Sequence, residues 1–223
     1  MNRLPRSESV VAVVLLGLFL ILGSEDTSHA ASFQQDDGGA EVLTVNLAYY
    51  DTAGLDPEVA SAMQSEVVAI FAQVGVAVEW VDTQALANGS GPAENSYVKV
   101  MLSAAPYSAW KLPVGTMGHA PGEEFPRPAV YVFDSRVRGA LEGGKRKFVA
   151  ADPEMMGRAL GRAMAHEVVH ALTPEPFHTR SGLMRAAQDS QTLTCREVEL
   201  DDKSVAEARR GLTVLRELSL GAE

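Results

Sequence analysis

Between positions 166 and 170 the chain reads His-Glu-Val-Val-His, and a further histidine, His178, follows eight residues after His170. Neutral imidazole is a good ligand for zinc, and at 3.6 residues per turn two histidines four apart stand one above the other on a helix face. His166 and His170 are thereby spaced to share one cation. Glu167 lies one step round the helix, beside such an ion but badly placed to bind it. That is where a general base for an activated water belongs. A catalytic zinc takes three protein ligands and keeps one position open. His178 is the candidate third ligand, Glu175 is its nearest competitor, and Glu197, Glu199 and Asp201 would suit a site with a downstream carboxylate. The chemistry implied is hydrolysis by metal-activated water, with one Zn²⁺ per chain as cofactor.

The element that must carry the first two histidines is well marked. Asp152 is an N-cap, Pro153 occupies the first turn, and Thr173-Pro174 stops the helix. Met155, Met156, Ala159, Leu160, Ala163, Met164, Val168, Val169, Ala171 and Leu172 cover more than one face, so the helix is expected to be largely buried. A buried polar triplet near its end is costly without partners, and a metal supplies one. Beyond it, Pro174 and Pro176 prevent helix continuation and let the chain turn back with His178. Gly182 then permits a tight turn ahead of Leu183 and Met184.

The rest of the chain reads as strands around one helix, then an irregular segment, then a last helix. Strands are expected over residues 42–50, 76–81, 97–102 and 129–133, with a short edge strand at Gly115, Thr116, Met117, Gly118, His119 and Ala120. That edge is a candidate for binding an extended peptide by strand addition, and His119 is read as a loop residue rather than a ligand. Asp56-Pro57 opens a helix that Gly75 follows, residues 87–96 read as an exposed loop, and residues 135–141 as a short helix. Residues 143–147 form a basic loop. No period is evident over residues 173–198, and residues 202–218 form an amphipathic helix. The expected class is α+β or α/β, with a mixed twisted sheet of about four to five strands, a buried active-site helix and a C-terminal helix.

Residues 1–30 have the form of a secretory signal peptide: Arg3 and Arg6, an apolar run over residues 10–22, then small residues at Ser28 and Ala30. The run of 13 residues is short against the roughly 20 needed to span a bilayer. Residues 31–40 read as a flexible leader and 41–223 as one domain. The protein is therefore expected to be exported, periplasmic or extracellular, with no membrane attachment after cleavage. A formal charge of −10 argues against nucleic acid as a partner and leaves a protein or peptide substrate. The single cysteine, Cys195, excludes an intrachain disulfide and is read as a small buried apolar residue.

The set His166-Glu167-x-x-His170, a histidine after a turn, and Gly182-Leu183-Met184 resembles the active site of metzincin-type zinc endopeptidases. In spacing it is more similar to a group of exported bacterial metzincin-like proteins whose third histidine comes eight residues on, followed by a Gly-(Ile/Leu)-Met-Arg turn. Residues 158–185 carry the resemblance, and residues 76–82 and 129–137 are similar more loosely. It implies a zincin-like fold, zinc ligands at His166, His170 and His178, a base at Glu167, and Met184 as a methionine turn beneath the metal. The chain departs from the usual pattern at Thr173, where glycine breaks the helix, and in two added residues before His178. It also has no tyrosine after Tyr131. A different class remains open, a non-catalytic exported protein in which the same histidines form a structural zinc site. Arg180 and Arg185 are candidates for a substrate carboxylate or for structural pairing.

Overall fold

The computed structural model describes residues 42–93, 96–122, 126, 129–143, 152–175 and 177–220. The chain divides into Met1–Gly39 and Ala40–Glu223. The export signal and the leader expected over residues 1–40 lie outside the described residues, as do residues 144–147 of the basic loop. The elements are β1 (Leu43–Asp51), α1 (Pro57–Ala72), β2 (Val76–Trp80), α2 (Thr83–Ala87), β3 (Val98–Ser103), β4 (Gly118–His119), β5 (Ala129–Phe133), α3 (Asp134–Glu142), α4 (Pro153–Ala171), α5 (Ser190–Thr194) and α6 (Asp202–Leu220). Among the described residues no helix is long and apolar enough to cross a membrane.

The strands form one mixed sheet in the order β2-β1-β3-β5-β4. β2, β1, β3 and β5 run parallel, and β4 closes the edge antiparallel to β5. Parallel neighbours need crossovers, and helices supply two of them: α1 joins β1 to β2, and α2 lies between β2 and β3. Burial alternates along β3, with Val98, Val100 and Leu102 fully buried and Lys99, Met101 and Ser103 half-buried. One face is therefore packed and the other is partly open, unlike the continuous burial usual for parallel strands. On the open face Tyr131 is covered by Trp110 and Tyr107, at ring separations of 4.7 and 6.0 Å.

The packed face meets α1 and α4. Val59, Met63, Val67, Ile70 and Phe71 of α1 join Met156, Leu160, Met164 and Val168 of α4 in one core with the strand valines. Full burial of each such side chain contributes about 1.5–3 kcal/mol. The two helices approach closely because α4 presents Gly157 and Gly161 one turn apart. A Cβ on Gly157 would sit 2.7 Å from the carbonyl oxygen of Val59, and one on Gly161 2.7 Å from that of Met63. Both helices start as their sequences predict: the Asp56 side chain accepts from Glu58 N, and the Asp152 side chain from Glu154 N at 3.0 Å.

Three expectations change. The edge strand is confined to Gly118 and His119, while Gly115, Thr116 and Met117 belong to the turn before it. Short helices at 83–87 and 190–194, and a 3-10 turn at Ser108–Trp110, stand where no helix was expected. Cys195 is only half-buried and sits among polar groups rather than in the core.

Candidate active site

α4 places His166 and His170 one turn apart near its C-terminal end, where Leu172 caps it and Thr173 Oγ1 donates to the His170 carbonyl. The helix ends before Thr173, and His178 lies against the His170 ring. Nε2 of His170 lies 3.0 Å from Nε2 of His166 and 3.2 Å from Nε2 of His178. The ligand nitrogens of all three lie within 4.8 Å of one another. Glu175, Glu197, Glu199 and Asp201 do not join this cluster.

The donor set suits a metal. Nitrogens bonded tetrahedrally at about 2.0–2.1 Å stand about 3.3 Å apart, close to the separations here. The Nδ1 of His166 is 2.8 Å from the carbonyl oxygen of Leu183. That contact assigns the proton to Nδ1 and turns the bare lone pair of Nε2 toward the other two rings. Burial, with the nearby His178 adding to it, lowers the His166 pKa to about 4 against the opposing Leu183 hydrogen bond, so the ring is neutral at pH 7. Three imidazoles whose Nε2 atoms converge at 3.0 and 3.2 Å form a donor set that a shared cation can bind. The three histidines are thus positioned to bind a metal ion.

The segment after His178 keeps this geometry. Thr179 N donates to the Met184 carbonyl at 2.9 Å, Thr179 and Arg185 form a parallel bridge, and Leu183 N donates to Glu199 O at 2.9 Å. Gly182 makes the turn possible: its φ is +74°, and a Cβ there would lie 2.5 Å from the Glu199 carbonyl oxygen. Met184 is fully buried in the core. The group of this turn that touches the triad is the backbone carbonyl of Leu183, which Gln188 Nε2 also approaches at 2.5 Å.

Glu167 is buried beside the histidines, and burial raises its carboxyl to about 8. Its side chain lies against Gly118 of β4, where a Cβ would come within 2.4 Å of Cγ and 2.7 Å of Oε1. A cleft of about 310 Å³ opens over the triad, walled by β4 and the turn before it, by Glu167 and the three histidines, and by Arg185, Ala186 and Gln188. All six residues of the expected edge segment, Gly115 to Ala120, line it. His119 is outside the metal cluster, and its ring packs edge-on against Trp110 at 5.2 Å.

Sequence reasoning missed Arg162. Its side chain is 1% exposed, and it donates to Glu66 Oε1 at 2.8 Å, Thr192 O at 2.6 Å and Cys195 O at 2.7 Å. It thereby ties α4 to α1 and to the segment that follows the triad. A charged residue on an otherwise apolar helix face was the available signal.

No protein-family model and no curated protein matches the sequence. Among solved structures, the crystal structure of archaemetzincin from Methanopyrus kandleri is similar with a TM-score of 0.48 and 12% identity, over 78% of this chain and 98% of that one.

Proposed function

We propose that the protein is an exported zinc-dependent endopeptidase of metzincin-like type, acting on protein or peptide substrates in the periplasm or outside the cell. The observation that carries this reading is the convergence of three imidazole Nε2 atoms at the floor of an open cleft, with Glu167 next to the first of them on the same helix. In this reading His166, His170 and His178 hold the ion. Zinc bound there supplies Lewis acidity, polarising the scissile carbonyl and bringing the pKa of water from about 15.7 toward about 7. The Leu183 carbonyl keeps the His166 ring in its ligating tautomer. A cation held by the triad would favour the ionised form of Glu167 against the burial that raises it, and the carboxylate then takes the proton of the attacking water and returns it to the leaving amine. β4 lies at the sheet edge beside Glu167, where its backbone is available to an extended substrate chain. A structural site is normally closed by a fourth protein ligand, and the cluster among the described residues holds three.

The test is paired. Purified protein is expected to carry one zinc per chain and to cleave an unfolded protein substrate. Glu167→Gln is expected to abolish cleavage and retain the metal, whereas His170→Ala loses the metal. Cleavage that survives Glu167→Gln overturns the mechanism. Zinc that raises thermal stability without turnover on any unfolded substrate favours the structural reading instead.

A further inference from the structure

We infer that Arg185 selects substrates bearing a carboxylate close to the bond that is cut; this rests on the peptidase reading above. Of the residues lining the cleft, Arg185 alone has a permanently cationic side chain. Its backbone is fixed to the site, since it bridges to Thr179, the residue after His178, and its N–H faces the Gly182 carbonyl at 3.4 Å. Arg185 lines both the cleft and a second cavity formed by residues 180–201, and its side chain is 43% exposed.

Arg162 shows what a structural arginine looks like in this fold, with its guanidinium buried and its donors spent on three acceptors of the chain. Arg185 is the opposite case. Among the described residues its ion pair is a single 3.7 Å contact to Asp189, whose carboxylate is 60% exposed and already accepts from Thr192 N and Thr192 Oγ1. Such an exposed, long pair holds the guanidinium weakly. A planar fork of donors at the wall of a partly desolvated cleft matches a carboxylate, which it binds through two parallel charge-assisted hydrogen bonds. The other cleft walls are glycine, alanine, threonine, methionine, glutamine and histidine side chains with Glu167, and none of these carries a permanent positive charge. Two sources present this group: an acidic side chain within a residue or two of the scissile bond, and a chain's own C-terminal carboxylate.

The experiment uses the zinc-loaded full chain and three peptides of one sequence. The first carries Glu near the cleaved bond and an amidated end, the second Gln there and an amidated end, and the third Gln with a free carboxylate terminus next to the bond. Wild type is expected to cleave at least one carboxylate peptide with kcat/KM about tenfold or more above the amidated Gln peptide. Which of the two gains identifies the source. In Arg185→Gln that ratio falls to about one, and in Arg185→Glu it inverts. A ratio unchanged by Arg185→Gln, or absent in wild type, overturns the assignment. If wild type cleaves none of them, the peptidase reading is what fails. Calorimetric binding of the Glu and Gln peptides to zinc-loaded wild type and Arg185→Gln then decides Arg185, with equal affinities in both proteins rejecting it.

Discussion

Substituting alanine for Gly118 adds one methyl group at the point where β4 meets Glu167. That carbon would lie 2.4 Å from Cγ, 2.8 Å from Cδ and 2.7 Å from Oε1 of Glu167. Carbon atoms in contact prefer about 3.5–4.0 Å, so one side must recede by about 1 Å or more. The helix cannot do so cheaply, because Ala165, Val168 and Val169 around Glu167 are fully buried. The yielding part is the Glu167 carboxylate or the two-residue strand β4. Misplacing a catalytic group by about 1 Å costs on the order of 100-fold in rate, and overpacking costs about 1–3 kcal/mol of stability. Gly118→Ala is therefore expected to lower kcat about 100-fold if the carboxylate swings aside, and to raise KM instead if the strand moves out and widens the cleft. Zinc content is expected to stay at one per chain in either case, since the three atoms nearest the added methyl group all belong to Glu167. Steady-state kinetics on one peptide, with metal analysis of the same samples, reads both outcomes. A variant with wild-type kcat and KM would refute the claim that Gly118 makes room for a working Glu167.

Arg162→Met removes the buried guanidinium and leaves Glu66 without its 2.8 Å partner, with two carbonyl oxygens losing their donor. Breaking such a pair on one side costs about 3–5 kcal/mol, which urea denaturation will register, and a loss under 1 kcal/mol contradicts the role given to Arg162. Asp201 accepts from Lys203 N, Ser204 N and Ser204 Oγ at the start of α6. Burial works to raise its pKa, but the hydrogen bonds from Ser204 and the neighbouring amides outweigh it and hold the carboxyl below the ordinary value. A depressed pKa contributes stability above the unfolded pKa of about 3.9 and loses it as pH falls through the folded value. Asp201→Ala is thus expected to cost about 1 kcal/mol at pH 7 and progressively less below about pH 4. A gap between the two proteins that does not change with pH would count against the cap.

The parts of the site that the sequence made legible are those written in periodic positions. His166 and His170 stack because four residues make about one helical turn, and the Asp152-Pro153 start fixes where that helix begins. The strand valines announce the sheet for the same reason, and β5 falls on the residues expected of it. The missing parts have no period to show. α2 and α5 span five residues each, too few for an apolar stripe, and are set by the Asp82 and Asp189 side-chain caps. The contact that orients His166 is a backbone carbonyl, which any residue at 183 would provide. Gly118 matters by what it lacks, and only the approach of Glu167 reveals it. Cys195 was read from the general habit of free thiols, but here its sulfur accepts from Arg162 at 3.0 Å and donates to the Glu197 carbonyl at 3.1 Å.

The link between His170 and His178 contains no glycine, and its geometry has a physical explanation. A short link between the second and third histidines must reverse direction abruptly, and a glycine serves because it tolerates a left-handed backbone. Here the link is two residues longer, and none of its described residues has a positive φ. α4 instead unwinds through Leu172 at φ −88° and ψ 6°, with Thr173 Oγ1 returning to the His170 carbonyl. Thr173 stands where the helix ends and closes its last turn through its own hydroxyl. Length alone would leave His178 loosely placed, at an entropic cost to any ion it binds. The far end of the link is therefore pinned, by Thr179 N on the Met184 carbonyl and by Lys203 Nζ lying 4.1 Å over the Phe177 ring. The 179–185 turn thus acts on both sides of the triad, anchoring the segment that follows His178 and supplying the carbonyl that orients His166. The pinned return holds the third ring against the second without a glycine hinge.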